Sequence, residues 1–132
     1  MATWDQLKQA LTARGINFQD FGDAGAIVAT FDTDEAGKRS QVVVLKPVSL
    51  EGLEYVGVES PIAPSTDENK NLEALRAAYT SPFGIANDGE CLVLRTAMPL
   101  QDLDFSEVEF FMTSVYTVAD LLEEQVFQTD KF

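Results

Sequence analysis

Apolar positions between Phe105 and the C-terminus recur in alternating steps of three and four: Phe105, Val108, Met112, Val115, Ala119, Leu122 and Val126. That spacing puts every member on one face of an α-helix and predicts a single long amphipathic helix from Phe105 to Phe132. Phe111 and Val118 widen the stripe on one flank, Tyr116 and Phe127 on the other. A stripe this broad suits a helix laid across a sheet, so its first role is core packing. The opposite side carries a second series, Phe110, Ser114, Thr117 and Leu121, in steps of four, three and four. Two large apolar groups thus bracket two small ones on a face that should be wet. Singly exposed apolar residues are ordinary on protein surfaces. The alternative, preferred here, is a second contact surface on which Ser114 and Thr117 permit close approach.

The rest of the chain divides by the same patterns. Thr3 with Gln6 forms a capping box for a short helix with Trp4, Leu7, Ala10 and Leu11 on one face, and Gly15 is placed to end it. Ile16 to Phe21 reads as an extended lead-in and Gly22 to Gly25 as a turn. Three strands follow, Ala26–Phe31, Gln41–Val48 and Leu53–Ser60, with Asp32 to Lys38 as a polar hairpin link. Pro47 hints at an edge or a bulge in the second strand. Pro61 to Thr66 reads as a loop. Ser65 with Glu68 forms another capping box, ahead of a helix with Leu72, Leu75, Ala78 and Tyr79 on one face, stopped by Pro82. Asn87-Asp88-Gly89 then joins two strands, Phe83–Ala86 and Glu90–Met98. Asp104 with Glu107 caps the long helix. The expected fold is α+β: an antiparallel sheet of about five strands with three helices, in the order α-β-β-β-α-β-β-α, forming a single domain over 1–132.

Composition narrows the function. A chain of 132 residues, 45% hydrophobic, can bury a real core. The formal net charge of −13 repels nucleic acid and anionic membrane surfaces. It favours basic partners or, more blandly, solubility. The first residues lack the basic and apolar regions of a signal peptide, and Ala26–Ala29 and Val42–Leu45 are too short to span a bilayer. A cytoplasmic protein is the expectation.

Candidate chemistry is thin. With no histidine there is no Ser-His or Cys-His pair and none of the commonest zinc ligand. The single cysteine, Cys91, excludes an internal disulfide and reads as a packed, inert side chain. Asp32-Thr33-Asp34-Glu35-Ala36-Gly37 begins like a calcium loop, but Val43 stands where the bidentate Glu belongs. Gly22-Asp23-Ala24-Gly25 opens no helix and lacks the third glycine of a phosphate loop. No catalytic residue, metal ligand or cofactor is expected.

One stretch carries a likeness to a family. Leu75-Arg-Ala-Ala-Tyr-Thr-Ser-Pro-Phe-Gly84, the Asn87-Asp-Gly-Glu90 hairpin, Cys91-Leu-Val-Leu-Arg-Thr-Ala-Met-Pro-Leu100 and the acid-capped helix after it resemble the YbjN-type bacterial family. Those proteins share a fold with type III secretion chaperones. The pattern covers Leu72 to Val126, and the element order covers the whole chain. The resemblance implies a non-enzymatic, homodimeric domain that binds another protein, as a chaperone or a regulator. By position in such a fold, Val42–Leu45 and Leu53–Val58 become candidate client surfaces. A different class of function is a small-molecule-binding sensory domain with a pocket between the sheet and the C-terminal helix. A third is an enzyme working with carboxylates alone.

Overall fold

The computed structural model describes residues 2–22, 25–33 and 39–128. Its elements run α1 (Trp4–Ala13), β1 (Gln19–Phe21), β2 (Ala26–Asp32), β3 (Ser40–Leu50), β4 (Leu53–Pro64), α2 (Glu68–Ala78), β5 (Gly84–Asn87), β6 (Cys91–Pro99) and α3 (Phe105–Leu122), which passes into a π-helical turn at Glu123–Phe127. All strands are antiparallel, in the order β1-β2-β3-β4-β6-β5. This is the expected α+β fold with one more strand than expected.

The extra strand is β1, inside what the sequence presents as an extended lead-in. All three of its residues are exposed, so it carries no alternation to betray it. It pairs with β2 through Gln19↔Val28, Asp20↔Ile27 and Phe21↔Ala26 and forms one edge of the sheet. The hairpin between β3 and β4 is tight because Glu51 (φ 51°) and Gly52 (φ 81°) both adopt left-handed backbone, the geometry of a two-residue turn that matches strand twist. Pro47 sits in a central strand, yet the β2–β3 ladder ends at Ile27↔Leu45. The ring therefore lies where β2 has already left, and the missing N–H costs no ladder bond.

Two boundaries differ from the sequence reading for related reasons. β4 continues through Pro64, where a loop was expected. A bulge between Pro61 and Ala63 absorbs the prolines while pairing with β6 goes on to Pro64↔Cys91. The N-cap of α2 is Asp67, not Ser65: the Asp67 carboxylate accepts the Lys70 N–H at 3.1 Å. Ser65 is held instead by Glu90, whose carbonyl accepts its backbone N–H at 3.1 Å.

All the core-facing strand positions look toward the helices. β3 sends Gln41, Val43 and Leu45 inward, β4 sends Val56, Val58, Ser60 and Ile62, and α3 lays Val108, Met112, Val115, Ala119 and Leu122 over them. Helix α3 crosses β3, β4 and β6, with α1 against it and α2 against it and its π-helical turn. Burying each such aliphatic side chain contributes about 1.5–3 kcal/mol, which makes the seam of α3 the main reason for the two-layer arrangement. The seam is as the spacing predicts, although the α-helix proper ends at Leu122. The π-helical turn after it brings both Val126 and Phe127 into the core.

Candidate interaction surface

Helix α3 presents its second stripe to solvent. Phe110 is 67% exposed and Leu121 47%, while Thr117 is exposed and Ser114 half-buried. The Ser114 hydroxyl donates to the carbonyl of Phe110 at 2.9 Å. It is thereby turned back onto its own helix, leaving a low shelf between the two large residues. Phe110 is steadied by an edge-on contact with Phe111, with ring centroids 6.0 Å apart. Beside it, Arg14 at the end of α1 pairs with Glu109 at 3.1 Å. The four predicted residues thus share one outward face.

Helix α2 adds residues that the sequence pattern placed in the core. Only Ala74 and Ala78 are buried on α2, while Leu72 (48%), Leu75 (49%) and Tyr79 (90%) are exposed. Of the expected face only Ala78 points inward, and the three large side chains do not. Two alanines at i and i+4 let its backbone lie close to the neighbouring elements, and the bulky residues are left outside. Among the described residues, five of the eight exposed large hydrophobics, Leu72, Leu75, Tyr79, Phe110 and Leu121, therefore lie on the helical layer.

Among the described residues no helix covers the opposite face of the sheet, and that face is less apolar than Val42–Leu45 and Leu53–Val58 suggest. Val43, Leu45, Val56 and Val58 point into the core. The open side carries Val42, Val44, Lys46 and Val48 from β3 beside Tyr55, Gly57 and Glu59 from β4. At its centre the buried Glu59 carboxylate meets Lys46 Nζ at 2.9 Å and Arg95 Nε at 3.6 Å. Gly57 lies beneath this group: a Cβ there would come within 3.3 Å of Val48 Cγ2 and 3.6 Å of Arg95 Nη2. An ion cluster thus stands among the valines of this face.

Polar groups elsewhere serve the fold. Buried Gln41 donates from Nε2 to Ser60 Oγ at 2.9 Å and to the Pro61 carbonyl, and the Ser60 hydroxyl donates to the Val42 carbonyl at 2.6 Å. No sequence motif pointed to this network. In the β5–β6 turn, Asp88 is held below the ordinary carboxylate range chiefly by the backbone N–H groups of Cys91 and Glu90. Asp104 is lowered likewise, first by the Ser106 hydroxyl and then by the Ser106 N–H. Among the described residues no group of three or more His, Cys, Asp or Glu side chains is placed to hold a metal ion. Asp34 to Gly37 of the calcium-like stretch and Asp23-Ala24 lie outside the described residues, as does the C-terminal end from 129 to 132.

A groove of about 470 Å³ opens at the end of the sheet where β4 and β6 run out, lined by Ala2, Thr3, Trp4, Leu53, Glu54, Tyr55, Pro99 and Leu100 among others. It is not between the sheet and α3, where the buried faces of both fill the space. No helix among the described residues is long and apolar enough to cross a membrane.

No protein-family model matches the chain. No curated protein matches it by sequence. Solved structures do match by shape. The crystal structure of YbjN from E. coli, a candidate transcription regulator, superimposes with a TM-score of 0.59 at 15% identity, covering 96% of this chain and 93% of YbjN. The α+β sheet with its three helices therefore has a YbjN-like fold.

Proposed function

We propose that this protein is a non-enzymatic interaction domain with a regulatory or chaperone-like role. It works through the outer surface of its helical layer and forms a homodimer there. The observation that carries the reading is the set of large apolar side chains left in solvent on α2 and α3, with the small residues Ser114 and Thr117 between Phe110 and Leu121. Large apolar side chains left in solvent are what contact sites on soluble proteins use. The YbjN-like fold is consistent with a regulatory domain.

The charge makes the two kinds of occupant separable. Two copies, each of formal net charge −13, repel one another, so added salt tightens a homodimer. A basic protein partner is steered in by the same field, and salt weakens that complex. Sedimentation across a salt series with wild type and Phe110→Asp/Leu121→Asp tests the reading. The double variant should be a folded monomer at every salt concentration. A wild type that stays monomeric at high salt and high concentration removes the dimer. A double variant that unfolds places the stripe in the core and removes the surface.

A further inference from the structure

We propose that the open face of the sheet docks an amphipathic helix of another protein, one whose apolar side carries a carboxylate midway. Among the described residues, the three exposed large hydrophobics outside the helical layer are Phe21, Leu50 and Leu53, and all three fall on this face. The register puts them there: Phe21 stands opposite Ala26, next to the inward Ile27, and Leu50 pairs with Leu53 two positions beyond Val48 and Tyr55. Half-buried Val44, Val48 and Tyr55 continue the apolar surface between them. An extended partner strand is held by main-chain bonds at a sheet edge, whereas a face offers only side chains, which suits a helix. Helix α3 shows the fit, laying 18 residues over the other side of the same sheet.

The centre of this face has the opposite charge to the chain as a whole. Lys46 and Arg95 converge on the single carboxylate of Glu59, whose side chain is 10% exposed against 42% and 37% for the two bases. One positive charge is therefore in excess, and it is the bases that reach solvent. A carboxylate from the partner completes the cluster as a second acceptor for Lys46 and Arg95. The same excess disfavours a second copy docked face to face, since that would set cation against cation. An anionic membrane is disfavoured by the formal net charge of −13, which instead steers in a partner that is basic outside the contact. The helix that fits has an apolar side, one Asp or Glu within it, and a basic outer side.

The probe is a synthetic peptide of 18 residues, the length of α3, with leucines along one helical side, a glutamate midway among them and lysines on the other side. Calorimetry should show one peptide bound per chain, and circular dichroism a gain of helix, because so short a helix is marginal in water alone. Glutamine in place of that glutamate should weaken binding about five-fold, although the glutamine peptide is the more basic of the two. Lys46→Gln should weaken the glutamate peptide about five-fold and leave the glutamine peptide unchanged. The variant keeps its fold, because Arg95 still pairs with Glu59. Leu50→Ser with Leu53→Ser alters only side chains more than half exposed and should weaken both peptides. Phe110→Asp with Leu121→Asp should leave binding intact, which separates this face from the dimer surface. Equal affinity for the two peptides overturns the proposal, as does no binding up to about 1 mM. Binding lost in the Phe110 and Leu121 variant but kept in the Leu50 and Leu53 variant overturns it too. So does self-association lost on Lys46→Gln, or binding to phosphatidylserine vesicles without binding to the glutamate peptide.

Discussion

Phe31 in β2 and Tyr116 in α3 stack face to face, with ring centroids 4.7 Å apart and planes inclined by 12°. The pair ties α3 to β2 at the flank of its buried seam. Arg39, just before β3, reinforces the crossing: Nε and Nη2 donate to Asp120 Oδ1 at 3.2 and 3.0 Å. The outward orientation of Phe110 and Leu121 follows from these two ties together with the buried seam.

Breaking the stack should therefore cost more than lost area. Tyr116→Ala is expected to destabilise the domain by about 2–3 kcal/mol, since the residue is only half-buried. A double-mutant cycle with Phe31→Ala should return a coupling of about 0.5–1.5 kcal/mol. Denaturant unfolding measures both, and additive effects would show that the rings act independently.

The two ion pairs of α3 should differ in weight. Asp120 is buried and Arg39 half-buried, so Asp120→Ala should cost about 2 kcal/mol, with little dependence on salt. Glu109→Ala at the exposed Arg14 pair should cost no more than about 0.5 kcal/mol, an effect that added salt erases. Urea melts at low and high salt compare them directly.

Helix α2 offers a separate test of the interaction surface. Leu75→Asp with Tyr79→Asp replaces exposed side chains and should leave the melting temperature nearly unchanged. Ala74→Leu, by contrast, overfills a fully buried site and should cost about 1–3 kcal/mol. If the exposed pair belongs to the contact surface, its aspartate variant should also weaken self-association in sedimentation.

Acid should loosen two particular turns. The carboxyl groups of Asp88 and Asp104 are held below the ordinary value of 3.8, the first by the backbone N–H groups of Cys91 and Glu90, the second by the Ser106 hydroxyl and N–H. Because the folded state depresses them, their contribution is fully present above the unfolded value. It is lost as the pH falls through the folded one. Asp88→Asn with Asp104→Asn should lower the melting temperature near neutrality and flatten its fall as the pH drops from about 5 through and below the ordinary carboxylate value. An unchanged slope would mean that neither carboxyl is coupled to folding.

Where the sequence misleads, the cause is physical and local. β1 is too short and too exposed to show an alternating pattern. The extension of β4 through Pro61 and Pro64 depends on a bulge, which is a property of pairing with β6 and not of β4 itself. On α2 the larger side chains imitate an inward face, and only the close approach permitted by Ala74 and Ala78 reverses it. Gln41 carries no motif, because its partners Ser60 and Pro61 are distant in the chain and meet it only across the β3–β4 ladder.

Periodicity and capping patterns along the chain reveal the capping box at Thr3, most of the β-strands with their turns, and the seam of α3 from Phe105 to Val126. Repeats of two and of three to four are set by backbone geometry, so a linear reading can find them. Which faces were left over depends on how the elements pack against one another. That packing put Leu72, Leu75 and Tyr79 outside and set Lys46 and Arg95 around Glu59 on the open side of the sheet. Those outcomes turn on how closely neighbouring elements approach, a distance that no single segment of the chain encodes.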